Sequence, residues 1–195
     1  MLGLAERTIG WALCGSHHTL HLVLPVMAGM RQAGATIIPV VSETLLQTTT
    51  AHGTPESTLA QVTEAAGRAP LTTIPEVEPF GPRRTCDCLL VAPCTGNSLA
   101  KLANAVTDSA PLMAAKAQLR NGLPVVIGLS TNDALGLNAQ NLARLLIARN
   151  VYFVPFGQDS PQGKPTSLVS HFDLCPQAVL AALQGRQLQP LLQAW

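Results

Sequence analysis

Along much of the chain, short apolar runs alternate with longer segments whose apolar residues recur at three- and four-residue spacing. This is the pattern of parallel strands joined by crossover helices. Thr8–Leu13 is the first apolar run, followed by Thr36–Val41 and by residues 88–92, 124–129 and 151–154. Helical segments start near Ser16, Ser98 and Asn138, and in the last of these Leu142, Leu145 and Leu146 fall on one face. Residues 107–118 read as a further short helix with Asn121-Gly122 as its stop signal, and residues 176–183 as the last helix. Most connections are long enough for a crossover helix. The expected fold is α/β: a three-layer, Rossmann-like open parallel sheet in a single domain over residues 1–195, with no internal repeat, low-complexity tract or linker.

Two stretches break the alternation. Residues 45–84 are rich in Thr, Pro and Gly, with one helix expected over 56–66 and a short extended piece over 71–74; they read as an insertion at an edge of the sheet. After the fifth run, Pro155, Pro161 and Pro165 with Gly157 and Gly163 predict a long loop, a candidate lid. The tail ends in Trp195, expected to dock on another subunit.

Composition narrows the function. Of the 195 residues 47% are hydrophobic and only 12% charged, which excludes a disordered chain. Twelve Lys and Arg against eleven Asp and Glu leave a net charge of +1, too weak a field to collect nucleic-acid phosphates. No stretch approaches the roughly 18 apolar residues of a membrane span, and the first residues lack a signal-peptide pattern, so a soluble, cytoplasmic protein is expected. So little charge on a small protein points to buried subunit contacts. Five cysteines without a secretion signal favour reduced thiols.

In an open parallel sheet ligands bind at the carboxyl ends of the strands. After the first run comes Cys14-Gly15-Ser16-His17-His18-Thr19, either a phosphate cradle or an ordinary capped helix start. It has neither the Gly-x-Gly-x-x-Gly spacing of dinucleotide folds nor a P-loop ending. After the second run come Ser42 and Thr44. After the third comes Pro93-Cys94-Thr95-Gly96-Asn97-Ser98, small residues that let a flat ligand approach the backbone. After the fourth come Ser130, Thr131 and Asn132. His17, His18 and His21 lack the nearby Cys or carboxylate of a zinc site, so no metal is expected; contact with a phosphate or a dicarboxylate substrate, or plain solvent exposure, are the readings left open. Cys94 reads either as a helix-activated nucleophile or, preferably, as a small filler. Lys101, Lys116 and Arg120 read as solvated surface by default, or as contacts for a dianionic substrate or a partner, and residues 157–167 as a substrate or subunit-contact loop.

Taken together, these junctions resemble the flavoprotein family that contains the flavin-dependent cysteine decarboxylases. Pro93-Cys94-Thr95-Gly96-Asn97-Ser98 resembles its Pro-Ala-Ser-Ala-Asn-Thr motif, and the following residues through Asp108 its Ile-Ala-Lys-Ile-Ala-Asn-Gly-Ile-Ala-Asp. The resemblance implies FMN across the carboxyl edge of the sheet, held by Gly15, Ser16, Ser42, Thr44, Pro93, Thr95, Asn97, Ser130, Thr131 and Asn132, with His17 and Asn97 as catalytic residues. It also implies a homo-oligomer, a trimer or a multiple of one. Where the family clamp carries a Met beside its second asparagine, this chain has Ser130-Thr131-Asn132-Asp133, which removes a contact used in decarboxylation. Gly15-Ser16-His17-His18-Thr19, the run 130–138 and Tyr152-Phe153-Val154-Pro155-Phe156-Gly157-Gln158-Asp159 are more similar to the B chains of bacterial dipicolinate synthases. That likeness implies an oxidoreductase subunit active in sporulation, in the mother-cell cytoplasm. Its work would be oxidation of a dihydrodipicolinate-type dicarboxylate to dipicolinate with a separate A chain, the partner expected to hold NADP. The alternatives are a non-catalytic binding or scaffolding subunit that has lost its flavin, and an FMN-dependent decarboxylase.

Overall fold

The computed structural model of the chain describes residues 3–194. Five strands run parallel: β1 (Thr8–Leu13), β2 (Thr36–Val41), β3 (Cys88–Cys94), β4 (Val125–Thr131) and β5 (Val151–Phe153). They lie in the order β2-β1-β3-β4-β5, with Ile9 opposite both Ile37 and Cys88, and Val125 opposite both Leu89 and Val151. Two short strands, β6 (Phe156–Gly157) and β7 (Leu168–Ser170), complete a mostly parallel seven-stranded sheet. β7 runs antiparallel to the carboxyl end of β4, pairing Val169 with Ser130, so it extends the sheet beside the ligand edge.

Alternation along the strands builds a core on each face. Ile9, Trp11 and Leu13 of β1 and Leu90 of β3 point into one, while Ala12, Leu89 and Val91 point into the other. The first face is covered by α1 (Leu20–Gln32), α3 (Pro55–Ala66) and α9 (Cys175–Leu183). Within it the fully buried Trp11 donates its ring N–H to the Ala92 carbonyl at 2.8 Å. The second face is covered by α6 (Gly96–Ala103), α7 (Ala110–Arg120) and α8 (Ala139–Leu146). α7 meets the sheet through Ala110, Ala114, Ala115 and Ala117, side chains short enough for a close approach in a core with few aromatic residues.

Between β2 and β3 lie α2 (Glu43–Gln47), α3, α4 (Ile74–Val77) and α5 (Phe80–Arg83). The Thr54 hydroxyl accepts the Ser57 N–H at the start of α3, and Gly67, left-handed at φ +75, ends it. Leu71 bridges Val40, its N–H donating to the Pro39 carbonyl at 2.9 Å, so this insertion does lie along the β2 edge.

The structure departs from the sequence reading in the insertion, which holds the four helices α2 to α5 rather than one and only an isolated bridge at Leu71 in place of the extended piece over 71–74, and at three further places. β3 and β4 each run two residues further than expected, so Cys94, Ser130 and Thr131 belong to strands rather than to the loops behind them. The segment after β5, expected as a loop, contains β6 and β7, which are too short to show alternation. Its turn is tied down: the Thr166 hydroxyl donates to the Asn132 carbonyl at 2.6 Å and the Ser167 hydroxyl to Asp159 Oδ1 at 2.6 Å. Trp195 lies outside the described residues. Among those residues no helix is long and apolar enough to cross a membrane.

Candidate functional site

Gly15, Ser42, Thr44, Thr95 and Asn97 line one cleft of about 330 Å³ at the carboxyl ends of β1, β2 and β3. Each arrives there by a local rule. Gly15 packs its backbone on Thr44, where a Cβ would lie 2.6 Å from Thr44 Cγ2, so only glycine fits. Ser42 precedes α2 in extended conformation, and its hydroxyl is buried without a hydrogen-bond partner among the described residues. Leaving such a group unpaired costs about 1–3 kcal/mol, which an incoming donor or acceptor would offset. Thr95 caps α6, its hydroxyl accepting the Ser98 N–H at 3.2 Å. The first turn of α6 therefore faces the cleft, with the exposed Asn97 beside its N–H groups.

Ser16 and Ser130 adjoin this cleft as a buried pair, their hydroxyls 2.8 Å apart across the ends of β1 and β4. The Ser16 carbonyl accepts the Thr19 hydroxyl at 3.0 Å, which fixes the 3₁₀ turn His17–Thr19 ahead of α1. In that turn His17 Nε2 is buried without a hydrogen-bond partner among the described residues, while His18 is exposed with Nδ1 3.4 Å from Ser16 Oγ. Burial, and then the charges of Lys164 and His52, lower the His18 pKa, whereas Asp159 acts in the opposite direction.

Other expected residues stand outside the cleft lining. Pro93 is buried, and its carbonyl accepts the Cys14 N–H at 3.1 Å. Thr131 donates to Asp133 Oδ1 at 2.5 Å, and Asp133 Oδ2 accepts the Asn138 amide at 2.7 Å. This chain of side chains continues through Asn141 and Asn104 to Arg144 at the surface. Gly96, the first residue of α6, sits against it. Asn132 is exposed and holds the 158–167 turn through its carbonyl.

Sequence reasoning passed over the Lys101–Asp108 ion pair, 2.6 Å long, which lines the same cleft with Ser109. The Lys101 ammonium holds the Asp108 carboxyl below its usual range. The available signal was position: Lys101 lies in the helix that begins at the Pro93–Ser98 motif. The cysteines are all free and buried; burial pushes the Cys14 thiol up to about 11 and Cys94 well above its usual value, which disfavours a thiolate nucleophile. Among the described residues no group of three or more His, Cys, Asp or Glu is placed to hold a metal ion.

Known proteins resemble this chain in sequence and in fold. The flavoprotein family model matches residues 3–173. The B subunit of dipicolinate synthase from Bacillus subtilis (strain 168) is 46% identical over 192 residues, 98% of this chain and 96% of that protein. The crystal structure of the corresponding B subunit from Bacillus halodurans superposes with a TM-score of 0.90 at 46% identity, covering 98% of each chain. That of the FMN-dependent cysteine decarboxylase SpaF gives 0.68 at 20% identity over 94% of this chain and 99% of that one, a likeness of fold alone. The chain thus belongs to the flavoprotein family, and within it to the family of dipicolinate synthase B subunits.

Proposed function

We propose that this chain is the flavin-binding subunit of a two-component dipicolinate synthase, oxidising a dihydrodipicolinate-type dicarboxylate to dipicolinate during sporulation. The observation that carries the reading is the cleft at the strand ends with its orphaned, buried Ser42 hydroxyl. Its residues fit FMN. Ser42, Thr44 and Thr95 offer hydroxyls and Asn97 an amide, the donor and acceptor set that a phosphate, a polyhydroxyl chain and a flavin ring edge need. At about 330 Å³ the cleft lies at the lower end of the range for cofactor sites. The FMN dependence of SpaF, which shares the fold, is consistent with this assignment.

Gly15, Ser42, Thr44, Thr95 and Asn97 would hold the cofactor directly. The Ser16–Ser130 pair keeps the two flanking strand ends at fixed spacing, and Pro93, Thr131 and Asn132 set the backbone around them. On this reading His17, whose buried Nε2 has no hydrogen-bond partner among the described residues, would accept the proton released on oxidation, and Asn97 would orient the reacting ring. Aromatisation removes two electrons and two hydrogens from the dihydro ring. When bound, FMN would supply the two-electron acceptor that this oxidation needs, with NADP on the A chain as the alternative acceptor. The subunit letter of its relatives and the low charge of the surface both favour a partner chain alongside self-association into a trimer or a multiple of one.

The test is reconstitution. Purified A chain, this chain, FMN and NADP should convert the precursor to dipicolinate, read by its ultraviolet absorbance, and leaving out this chain should abolish conversion. No dipicolinate from the complete mixture would overturn the assignment. A colourless chain that resists reconstitution with FMN, yet still supports the A chain, would establish the scaffolding alternative.

A further inference from the structure

Charge is unevenly spread along the cleft at the strand ends. Lys101 is the one cationic side chain among the described residues that line it, against the carboxylates of Glu43 and Asp108. It arrives there through α6: Asn97 and Lys101, four positions apart, share a helix face, so the lysine stands one turn beyond the amide on the same wall. Asp108 comes from the connection between α6 and α7, immediately before Ser109, which precedes the first turn of α7 and also lines the cleft. Lys101 Nζ meets Asp108 Oδ2 at 2.6 Å, the one ion pair among the described residues, with the two side chains 33% and 50% exposed. The Ser42 hydroxyl, buried and without a hydrogen-bond partner among the described residues, belongs to the same lining. With the pair closed the lining is negative overall. A phosphate or carboxylate that enters finds its only cation engaged, and the Glu43 carboxylate in no ion pair.

We propose that Lys101 is an exchangeable anion anchor: it leaves Asp108 to pair with an anionic oxygen of the molecule bound in the cleft, and Asp108 is the internal counter-ion that occupies it until then. This rests on the reading of the cleft as the cofactor and substrate site, and it names the side chain that meets charge there. The exchange costs little, because an ion pair this exposed is weak and water solvates both partners as they separate. What replaces it is stronger, a charge-assisted hydrogen bond from the ammonium to a group held between the cleft walls. Two anions of this chemistry belong to the functional reading, the phosphate of FMN and a carboxylate of the substrate. The two members of the pair then act in opposite directions: losing Lys101 removes the anchor, whereas losing Asp108 removes its competitor and a negative charge from the lining. A pair that only tied α6 to the start of α7 would make both losses harmful.

Calorimetric titration of the full chain tests this with two anions and their neutral counterparts: FMN against riboflavin, and pyridine-2,6-dicarboxylate against pyridine-2,6-dicarboxamide. Lys101→Gln should weaken the anchored anion about tenfold or more, the worth of one charge-assisted bond, and Lys101→Arg should restore most of that loss. Asp108→Asn should instead tighten the same anion about two- to fivefold. Neither change should move the neutral counterpart, and Lys116→Gln, which removes the same charge from α7 outside the cleft lining, should leave all four ligands unaffected. A loss confined to FMN assigns the anchor to the flavin phosphate, a loss confined to the dicarboxylate assigns it to the substrate, and a loss in both shows that it serves either anion. Equal losses for an anion and its neutral counterpart, no loss in Lys101→Gln, or weakening in Asp108→Asn as well would overturn the proposal. So would a parent chain that binds neither anion. Dicarboxylate binding that depends on Lys101 in a chain that takes up no flavin would strike the flavin reading and leave the anchor standing; FMN and dicarboxylate binding both indifferent to Lys101 would do the reverse.

Discussion

Gly96 offers a sharp test of how the site is held together. It opens α6, the helix that carries Asn97 into the cleft, and a Cβ there would lie 2.5 Å from Thr131 Oγ1, 2.6 Å from Asp133 Oδ1 and 2.9 Å from Asn138 Nδ2. Those gaps are about 1 Å short of ordinary contact, and the atoms met are locked in mutual hydrogen bonds. Gly96→Ala should therefore cost about 1–3 kcal/mol in overpacking. Against that stands a helix-propensity gain of at most about 1 kcal/mol, less at a first turn than in a helix interior. The net loss of about 1–2 kcal/mol should lower the melting temperature by roughly 2–8 °C for a chain of this size. Gly29→Ala is the control. Gly29 lies inside α1 with nothing within 4 Å of an added Cβ, so it should gain about 0.5–1 kcal/mol. Scanning calorimetry on both variants reads the opposite signs. Since the clash pushes the first turn of α6, Gly96→Ala should also weaken FMN binding, whereas Gly29→Ala should not. A Gly96→Ala protein as stable as its parent, with Gly29→Ala behaving as expected, would refute the packing of α6 on the Asp133 network.

Further outcomes follow from the same contacts. Ser42→Ala removes an unpaired buried hydroxyl, so the cofactor-free protein should keep or slightly gain stability while FMN affinity falls about fivefold or more, measured by flavin fluorescence. Asp133→Ala strands the Asn138 amide and the Thr131 hydroxyl and should cost about 1–3 kcal/mol in urea unfolding. The buried thiols of Cys14 and Cys86 are pushed up to about 11 and about 12, so they stay protonated in the folded chain where an unfolded thiol has ionised. Their contribution to stability is complete below about pH 9 and is lost as pH rises through the folded values, which urea midpoints between neutral and alkaline pH should record. For the same reason a thiol reagent at neutral pH should leave the folded cysteines unmodified and react on unfolding.

Much of the frame was legible from residues alone. Runs such as Ile9-Gly10-Trp11-Ala12-Leu13 are apolar on both sides because helices cover both faces of the sheet, and strands of this kind stand out against amphipathic helices such as α8. The cleft residues Gly15, Ser42, Thr44, Thr95 and Asn97 were found because they follow strand ends, where the topology places ligands. What escaped depended on contacts without a short-range period. β6 and β7 span two and three residues, too few to alternate. The chain from Thr131 through Asp133, Asn138 and Asn141 to Asn104 links residues two, five, three and 37 positions apart, with no single period to reveal it. The sequence also does not show that the Thr131 hydroxyl bonds Asp133 or that the Asn132 carbonyl holds the 158–167 turn.

The most direct measurement is the titration of the purified full chain with FMN, followed by visible absorbance and by the mass of the complex. One FMN per chain, with affinity reduced in Ser42→Ala and Asn97→Ala, is the predicted result. A chain that takes up no FMN at any concentration, or one whose affinity neither substitution alters, would contradict the placement of a flavin at the ends of β1, β2 and β3.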